Sequence, residues 1–226
     1  MVMLRFNEAD HALVTAAVAD AERKSDGEIV TIVAERSDSY HDAALHYAVA
    51  AMLLVPALIA FLPQGTVDGI SAMLLGWDAE LTRFSLMTWI ATFQIGLFLL
   101  VRYGLAWMPL RMALTPARAK TRRVRRRAIA LFKASAEHRT LGRTGILLYV
   151  SLREHRAEIV ADQAIHSKVA PEIWGEAMAV LVDNLKAGRP GEGVAKAVEA
   201  IGAVLAQHLP KTVEDTNELP DRLIEL

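Results

Sequence analysis

The chain opens with apolar residues at helical spacing and then changes to an unbroken β-branched run. From residue 7 to 24 apolar positions recur every three or four residues, which predicts an amphipathic helix. Asn7 followed by Asp10 is typical of a capped helix start. We expect Gly27 to end this segment in a left-handed conformation. The next stretch, Glu28 to Glu35, is EIVTIVAE and predicts a β-strand.

Two long apolar stretches follow. Residues 43–63 and 84–101 contain no Asp, Glu, Lys or Arg, and the second stretch can extend past Arg102 to about position 108. About 20 apolar residues cross the hydrocarbon core of a bilayer. The alternative is two core helices of a globular protein, but the rest of the 226-residue chain offers little mass to cover them. The pattern therefore predicts a transmembrane hairpin.

Alternating elements return after the hairpin. A helix is predicted over residues 116–137, followed by a strand at Gly145 to Leu152 that is apolar on both faces. A second strand, Arg156 to Asp162, follows after a short turn and should be antiparallel to the first. A further helix begins at Pro171 and is broken by AGRPGEG, and a last helix carries Val194, Val198, Ile201 and Leu205. The acidic tail 211–226 is expected to be loosely held.

The order of these elements predicts a domain split in sequence. One helix and one strand cannot bury their apolar faces alone. We therefore expect the first strand to pair beside Gly145 to Leu152, with Val30 and Ile32 on one face and Ile29, Thr31 and Val33 on the other. The predicted divisions are 1–42 and 109–210 for the two parts of an α/β domain, 43–108 for the hairpin (helices about 43–63 and 84–108) and 211–226 for the tail.

Charge gives the hairpin an orientation. The chain is nearly neutral overall, but residues 102–127 hold nine Lys or Arg and no acid. Positive charge beside a span favours the cytoplasmic side. Both termini and the soluble domain are therefore expected in the cytoplasm, at the bacterial inner membrane. The N-terminus lacks the pattern of a secretory signal, and the absence of cysteine excludes disulfides and thiolate chemistry.

The densest part of this charge is RAKTRRVRRRA, residues 118–128. An anionic membrane surface and a nucleic acid backbone would both attract it. The run begins close to a predicted span and has no RNA-binding aromatic motif beside it. We therefore predict contact with membrane lipid and expect no nucleic acid. The predicted membrane-surface residues are Arg118, Lys120, Arg122, Arg123, Arg125, Arg126 and Arg127.

Three segments resemble a known family. They are SDGEIVTIVAE, the stretch from ALFKASAEHRTLGRTGILLYVSLREHRAEIVADQAIH to Trp174, and LKAGRPGEGVAKAVEAIGAVLAQHLP. Together they resemble the TPM domain, which occurs in thylakoid proteins linked to photosystem repair and phosphatase activity and in many bacterial membrane proteins. The resemblance implies a small Rossmann-like α/β/α domain, here interrupted by the transmembrane hairpin. In some members it also implies a bound divalent cation and a weak acid phosphatase activity.

Candidate chemistry is concentrated where strands end. Ligands of open α/β sheets gather at the carboxyl ends of the strands, and oxygen ligands suit Ca²⁺ or Mg²⁺. The candidate metal ligands are Glu35, Asp38, Asp42 and Asp162. An antiparallel third strand would place Asp162 at the opposite edge from Asp38, and ordinary loop or capping roles remain the alternative for all four. Arg139 and Arg143 are candidate anion-binding residues.

These patterns predict an inner-membrane protein whose cytoplasmic TPM-like domain acts as a binding or assembly module, with a protein partner. The alternative is a membrane-tethered, divalent-metal-dependent phosphatase, which requires at least three oxygen ligands in one pocket. No Ser/His/Asp triad, phosphate loop or dinucleotide fingerprint is present.

Overall fold

A computed structural model describes residues 6–75, 82–136, 144–212 and 218–226. The chain divides into two compact units. Residues 1–38 and 117–226 make up the α/β unit, and residues 39–116 make up the helical unit. The α/β unit contains α1 (Glu8–Glu22), β1 (Glu28–Ala34), α6 (Ala117–Ser135), β2 (Gly145–Ser151), β3 (Arg156–Ala161), α7 (Gln163–His166), a 3₁₀ turn (Pro171–Trp174), α8 (Gly175–Lys186), α9 (Pro190–His208) and β4 (Ile224–Glu225). The helical unit contains α2 (His41–Phe61), α3 (Gln64–Leu75), α4 (Arg83–Gly104) and α5 (Met108–Leu114).

A four-stranded sheet in the order β3-β2-β1-β4 forms the centre of the α/β unit. β1 and β2 pair in parallel over their whole length, from Glu28 opposite Gly145 to Ala34 opposite Ser151. β3 is antiparallel to β2. The predicted pairing of the first strand with the strand beyond the apolar segments is therefore confirmed, as is the antiparallel third strand.

Helices cover both faces of this sheet. Ile29 and Val33 of β1 belong to a core shared with α1, α8 and α9. Val30 and Ile32 belong to a second core, closed by Val124, Ala128 and Phe132 of α6. The predicted division of β1 between two faces is confirmed, and it follows from the period-two geometry of a strand.

The start of α1 agrees with its sequence, but its end does not. Asn7 and Asp10 form the reciprocal capping box. The helix then ends at Glu22 without a left-handed residue, so the predicted role of Gly27 is wrong. A Cβ on Gly27 would come within 2.8 Å of a Leu205 methyl. Gly27 therefore permits the close packing of α9 and has no part in ending the helix.

The tail prediction is also wrong for the residues that the structure describes. Ile224 and Glu225 form β4, which pairs in parallel with Ile32 and Val33 of β1. Leu219 and Leu223 are buried in the cores on the two faces of the sheet. Residues 218–226 pack there because β1 is buried on both faces and needs a neighbour along its remaining edge.

In the helical unit, α2 and α4 pack against each other, and the predicted connection between them contains α3. Pro56 lies inside α2 and has no N–H, so the carbonyl of Met52 cannot form its usual bond one turn ahead. The side-chain amide of Gln94 on α4 donates to this carbonyl at 3.1 Å. One bond across the pair thus satisfies the group that proline leaves unpaired.

A buried arginine joins the two ends of the helical unit. Arg111 donates to the carbonyls of Leu105 and Ser39 at 2.7 Å and to that of Ala106 at 3.2 Å. It also lies 3.2 Å from Nδ1 of His41. Leu105 and Ala106 follow the C-terminus of α4, where carbonyl groups carry partial negative charge and stabilise a cation. Arg111 therefore links the segment that enters α2 with the segment that leaves α4.

The paired strands predict that the α/β unit folds without the helical unit. A shortened chain that joins residues 1–38 to 117–226 through a flexible linker should unfold cooperatively on heating. Residues 117–226 alone should not, because losing β1 removes several buried side chains, each contributing roughly 1.5–3 kcal/mol. That sum rivals the total stability of a small domain, about 5–15 kcal/mol. Equal melting temperatures for the two chains would contradict the prediction.

A second prediction concerns the bond from Gln94. Gln94→Leu should destabilise the helical unit by about 1 kcal/mol, because it leaves the Met52 carbonyl unsatisfied. Pro56→Ala restores an N–H for that carbonyl within α2, so Gln94→Leu should cost clearly less in the Pro56→Ala background. The measurement is equilibrium unfolding in detergent followed by tryptophan fluorescence. Additive effects of the two substitutions would show that Gln94 does not serve the proline.

Candidate functional site

Polar side chains gather at the carboxyl edge of β1 and β2. The two strands run in parallel, so both carboxyl ends lie at the same edge. The chain extends beyond β1 through Glu35, Ser37 and Asp38, and it turns beyond β2 through Arg153 and Glu154. Backbone bonds from Leu152 to Ala34 and from Arg153 to Glu35 continue the pairing past both strands. These bonds hold the two polar segments side by side.

The centre of this edge is a hydrogen-bonded cluster of four side chains. The Ser37 hydroxyl lies 2.9 Å from both the Tyr149 hydroxyl and the Ser151 hydroxyl. One Glu154 carboxylate oxygen accepts from the Ser37 backbone N–H at 2.9 Å, and the other accepts from the Ser151 hydroxyl at 2.5 Å. Tyr149, Ser151 and Glu154 are buried. We call Ser37, Tyr149, Ser151 and Glu154 the hydroxyl cluster.

The environment keeps the Tyr149 phenol protonated. Burial raises the pKa of Tyr149 and outweighs the opposing effect of its bonds to Ser37 and Ser151. Arg127 acts in the opposite direction, since its positive charge favours the phenolate. At neutral pH the cluster therefore holds three neutral hydroxyls beside one carboxyl group. Such a set can position a polar ligand or a neighbouring segment through hydrogen bonds.

Ion pairs surround the hydroxyl cluster. Arg153 binds Glu35 with its Nε at 2.9 Å. Asp38 binds Arg123 at 3.1 Å and Arg126 at 3.4 Å. Asp38 is the last residue before the chain leaves the α/β unit, and Arg123 lies on the first helix after its return. The pair therefore fastens the outgoing segment to the returning one.

The predicted metal ligands have separate surroundings. Glu35 and Asp38 face arginines, and Asp42 lies in the first turn of α2 in the other unit. Asp162 caps α7, and its backbone N–H donates to Gly145 at the amino end of β2. This is the edge opposite Asp38. Among the described residues, no group of three His, Cys, Asp or Glu side chains could hold a metal ion.

Asp162 uses one of its two oxygens in its cap. Oδ1 accepts from the Gln163 N–H at 2.8 Å. Oδ2 is buried and has no hydrogen-bond partner within the described ranges. The predicted anion-binding residues Arg139 and Arg143 belong to residues 137–143, outside the described ranges.

The predicted membrane-surface residues all lie on α6, but they differ in their contacts. Arg118, Arg122, Arg125, Arg126 and Arg127 are exposed, whereas Lys120 and Arg123 are half-buried. Arg123 and Arg126 bind Asp38. The buried positions of this helix are Val124, Ala128 and Phe132.

Of the four residues that form the centre of the edge, the sequence indicates only Ser151, which stands at the end of its strand. Ser37, Tyr149 and Glu154 match no motif, and Ser37 lies 112, 114 and 117 positions from Tyr149, Ser151 and Glu154. The available signal was positional. Hydroxyl side chains at the ends of two strands that are expected to be parallel should converge.

A second polar cluster lies at the amino end of β1. Oε1 of Glu22 accepts from the Ile29 N–H at 2.8 Å, and both Glu22 and Glu28 are buried. Oε2 of Glu28 accepts from the Leu219 N–H at 3.2 Å. Burial is the main reason that the pKa of Glu22 rises from its usual 4.5 to about 8, and the charges of Glu28 and Asp221 add to the rise.

The raised pKa of Glu22 predicts that the free energy of unfolding falls as the pH rises from 4.5 to about 8. Folded Glu22 keeps its proton up to about pH 8, whereas the unfolded chain releases it near 4.5. Its contribution is therefore complete below pH 4.5 and declines until Glu22 ionises at about pH 8. The Glu22→Gln variant cannot ionise at this position. Relative to it, the unfolding free energy of the wild type should fall by a few kcal/mol over this range, at about 1.4 kcal/mol per pKa unit. Thermal unfolding from pH 4 to 9 is the measurement.

A matched control changes Glu199, an exposed residue of α9, to Gln. This variant should follow the wild type across the pH range. If Glu22→Gln and the wild type also keep a constant difference in unfolding free energy, Glu22 does not titrate as described.

Comparisons with known proteins agree with this architecture. Residues 110–204 match the sequence model of the TPM domain. No curated protein matches the chain. Among solved structures, the NMR structure of the BA42 protein from the psychrophilic bacterium Bizionia argentinensis is similar, with a TM-score of 0.56 and 15% sequence identity, covering 100% of this chain and 99% of that one. At this identity the similarity concerns the fold alone. The resemblance to the TPM domain family is thus confirmed, and residues 110–204, from α5 into α9, are the part of the chain that carries it.

Proposed function

We propose that this chain is an inner-membrane protein, anchored by α2 and α4, whose TPM-type α/β unit lies in the cytoplasm and acts as a binding or assembly module. The observation that carries the membrane placement is the uncovered apolar surface of the two helices. Both are long and apolar enough to cross a membrane, with mean hydropathy of 2.1 for α2 and 1.9 for α4. Only 17% of the apolar window is buried in α2 and none in α4.

The physical argument is that water is a poor solvent for this surface. Phe61 and Phe84, near the ends of the two helices, are more than four-fifths exposed, and Leu100 is 71% exposed. Burial of apolar area is favourable by about 25 cal/mol per Å². A core helix would find that cover inside its own protein. The helices α2 and α4 bury little of their surface within the described residues, and lipid would supply the missing cover.

Charge supports the cytoplasmic placement of the α/β unit. The exposed arginines of α6 follow the second apolar helix along the chain, within the distance over which positive residues influence orientation. Each basic side chain near an anionic leaflet contributes about 1 kcal/mol of attraction. Arg118, Arg122 and Arg125 are best suited to this role, because Arg123 and Arg126 already bind Asp38.

The side chains of the α/β unit support a binding role better than catalysis. The metal-dependent phosphatase requires several oxygen ligands in one pocket, and the described residues contain no such group. The hydroxyl cluster has its hydrogen-bonding groups directed at one another. It serves to hold the segments that leave β1 and β2 in fixed positions.

Cysteine labelling tests the topology, because the chain contains no native cysteine. In intact cells, Gly69→Cys in the connection between the two spans should react with a membrane-impermeant maleimide. Glu172→Cys in the α/β unit should react only after the membrane is opened. Both positions are exposed, and a Cβ at Gly69 meets no atom within 4 Å. Labelling of Glu172→Cys in intact cells would overturn the proposed orientation.

Arginine variants test the cause of that orientation. Changing Arg118, Arg122 and Arg125 to Gln should increase the fraction of chains with Gly69→Cys protected, by about twofold or more, because the charge bias is weakened. The matched control changes Lys168, Lys186 and Lys196 to Gln, which removes the same charge far from the spans in sequence. An equal effect of the two triple variants would contradict the assignment.

A further inference from the structure

The edge of β1 is covered by a short segment. Without β4, β1 would be an edge strand although every one of its residues is buried. The covering strand contains only two residues in register, Ile224 and Glu225. Leu226 extends the pairing with bonds from its N–H to Val33 and from the Glu35 N–H to its carbonyl, at 2.9 and 3.1 Å. The edge of a central, buried strand is thus closed by a minimal partner.

Side chains of the covering segment fit both sides of the sheet. Leu219 packs in the core beneath α6, and Leu223 packs in the core beneath α1, α8 and α9. Glu225 lies 2.6 Å from Nε2 of His11 on α1. The backbone N–H of Leu219 donates to Glu28. Residues 218–226 therefore occupy a groove, which we call the β1 groove. It has two apolar pockets, a carboxylate from Glu28 that accepts a backbone N–H, and an imidazole from His11 at the far end.

These contacts resemble the recognition of a peptide more than the packing of a domain strand. An extended peptide that adds to a sheet edge gains affinity from main-chain bonds and specificity from pockets for a few side chains. Here the main-chain ladder is two residues long and the pockets take two leucines. The exposed side chains of Arg222, Glu225 and Leu226 lie along the segment. Leu219 and Leu223 are the only buried side chains of this segment, so little other burial holds it in place.

We propose that the β1 groove is a docking site for an extended peptide of a partner protein, and that residues 218–226 are its built-in occupant. The inference rests on the binding role proposed above and names the chemistry of the partner. The ligand carries Leu-x-x-x-Leu, then a β-branched apolar residue and an acid, in the order of Leu219 to Glu225. The backbone N–H of its first leucine donates to Glu28, as that of Leu219 does.

The structure supports this ligand chemistry directly, because the chain's own segment displays it in place. The leucine spacing places the two side chains in cores on opposite faces of the sheet. The acid faces an imidazole, and the branched residue continues the β1 pairing. A partner peptide replaces these contacts one for one, so exchange does not leave the edge of β1 open. The C-terminal segment then acts as a competitor that sets the threshold for binding.

The test releases the segment without removing it. In the full chain in detergent, Leu219→Ser with Leu223→Ser should empty both pockets; we call this the released variant. The probe is a fluorescent peptide of residues 218–226, ELPDRLIEL. By fluorescence anisotropy it should bind the released variant about tenfold or more tighter than the wild type, which corresponds to about 1.4 kcal/mol. A peptide with both leucines changed to serine should not bind.

Glu28→Leu in the released variant supplies a control within the groove. It removes the acceptor for the peptide backbone and should weaken binding of the probe. If the released variant melts cooperatively but binds no probe, or binds the serine peptide equally, the docking site is overturned. Membrane attachment would be unaffected by that result, because cysteine labelling measures it independently.

Hydrogen exchange of the wild type keeps the test decisive if the released variant does not fold. The Leu226 amide bonds to β1, whereas the Leu148 amide lies in the interior of the sheet. Opening of the segment alone should make Leu226 exchange about 100-fold faster or more than Leu148. Equal protection would overturn the proposal. Concentration-dependent dimers that the leucine substitutions abolish would also overturn it, since the occupant would then be a second copy of this chain.

Discussion

The parallel pairing of β1 with β2 is the constraint on which the rest of the structure depends. It joins strands that lie on either side of the whole helical unit in sequence. Closing so long a loop costs conformational entropy, but this cost grows only slowly with loop length. The side chains of β1 are buried on both faces, and their burial offsets the cost. The contacts of Ser37 with Tyr149, Ser151 and Glu154 at the carboxyl edge follow from this pairing.

The same pairing places the segment that leaves the α/β unit beside the segment that returns to it. The segment that leaves β1 and the helix that returns into the α/β unit are linked by the bond between Asp38 and Arg123. Within the helical unit, Arg111 makes a corresponding link between Ser39 and the end of α4. Both links use arginine, whose planar group contacts several acceptors at once. In each unit, an arginine therefore links the two segments through which the chain passes to the other unit.

Burying all of β1 also creates the features that need explanation at its ends and edge. At the amino end, Glu22 and Glu28 are buried and satisfied by backbone N–H groups, one of them from the C-terminal segment. Along the free edge, that segment supplies the missing neighbour. At the carboxyl end, the hydroxyls of the buried Tyr149 and Ser151 find hydrogen-bond partners within the hydroxyl cluster. Polar groups removed from water need such partners.

Local pattern in the sequence was sufficient for most of the elements. The helix capped by Asn7, the β-branched strand, the apolar stretches and the apolar strand at residues 145–152 all have periodicities that depend on near neighbours. The pairing of the first strand with the second also followed, because neither part has a core alone. The resemblance to the TPM domain rested on the same local segments.

Tertiary structure decided what depends on residues far apart in the chain. The tail was expected to be loose because it is an acidic terminal segment, yet the open edge of β1 orders Leu219, Leu223 and Ile224. Glu35 and Asp38 suggested metal ligands by residue type, but arginines from the β2–β3 turn and from α6 are their neighbours. No local signal links Ser37 to Tyr149, and only the parallel pairing of their strands brings the hydroxyl cluster together. The sequence pattern indicates which residues share one face of a helix or strand. Which residues contact that face depends on how distant segments pack.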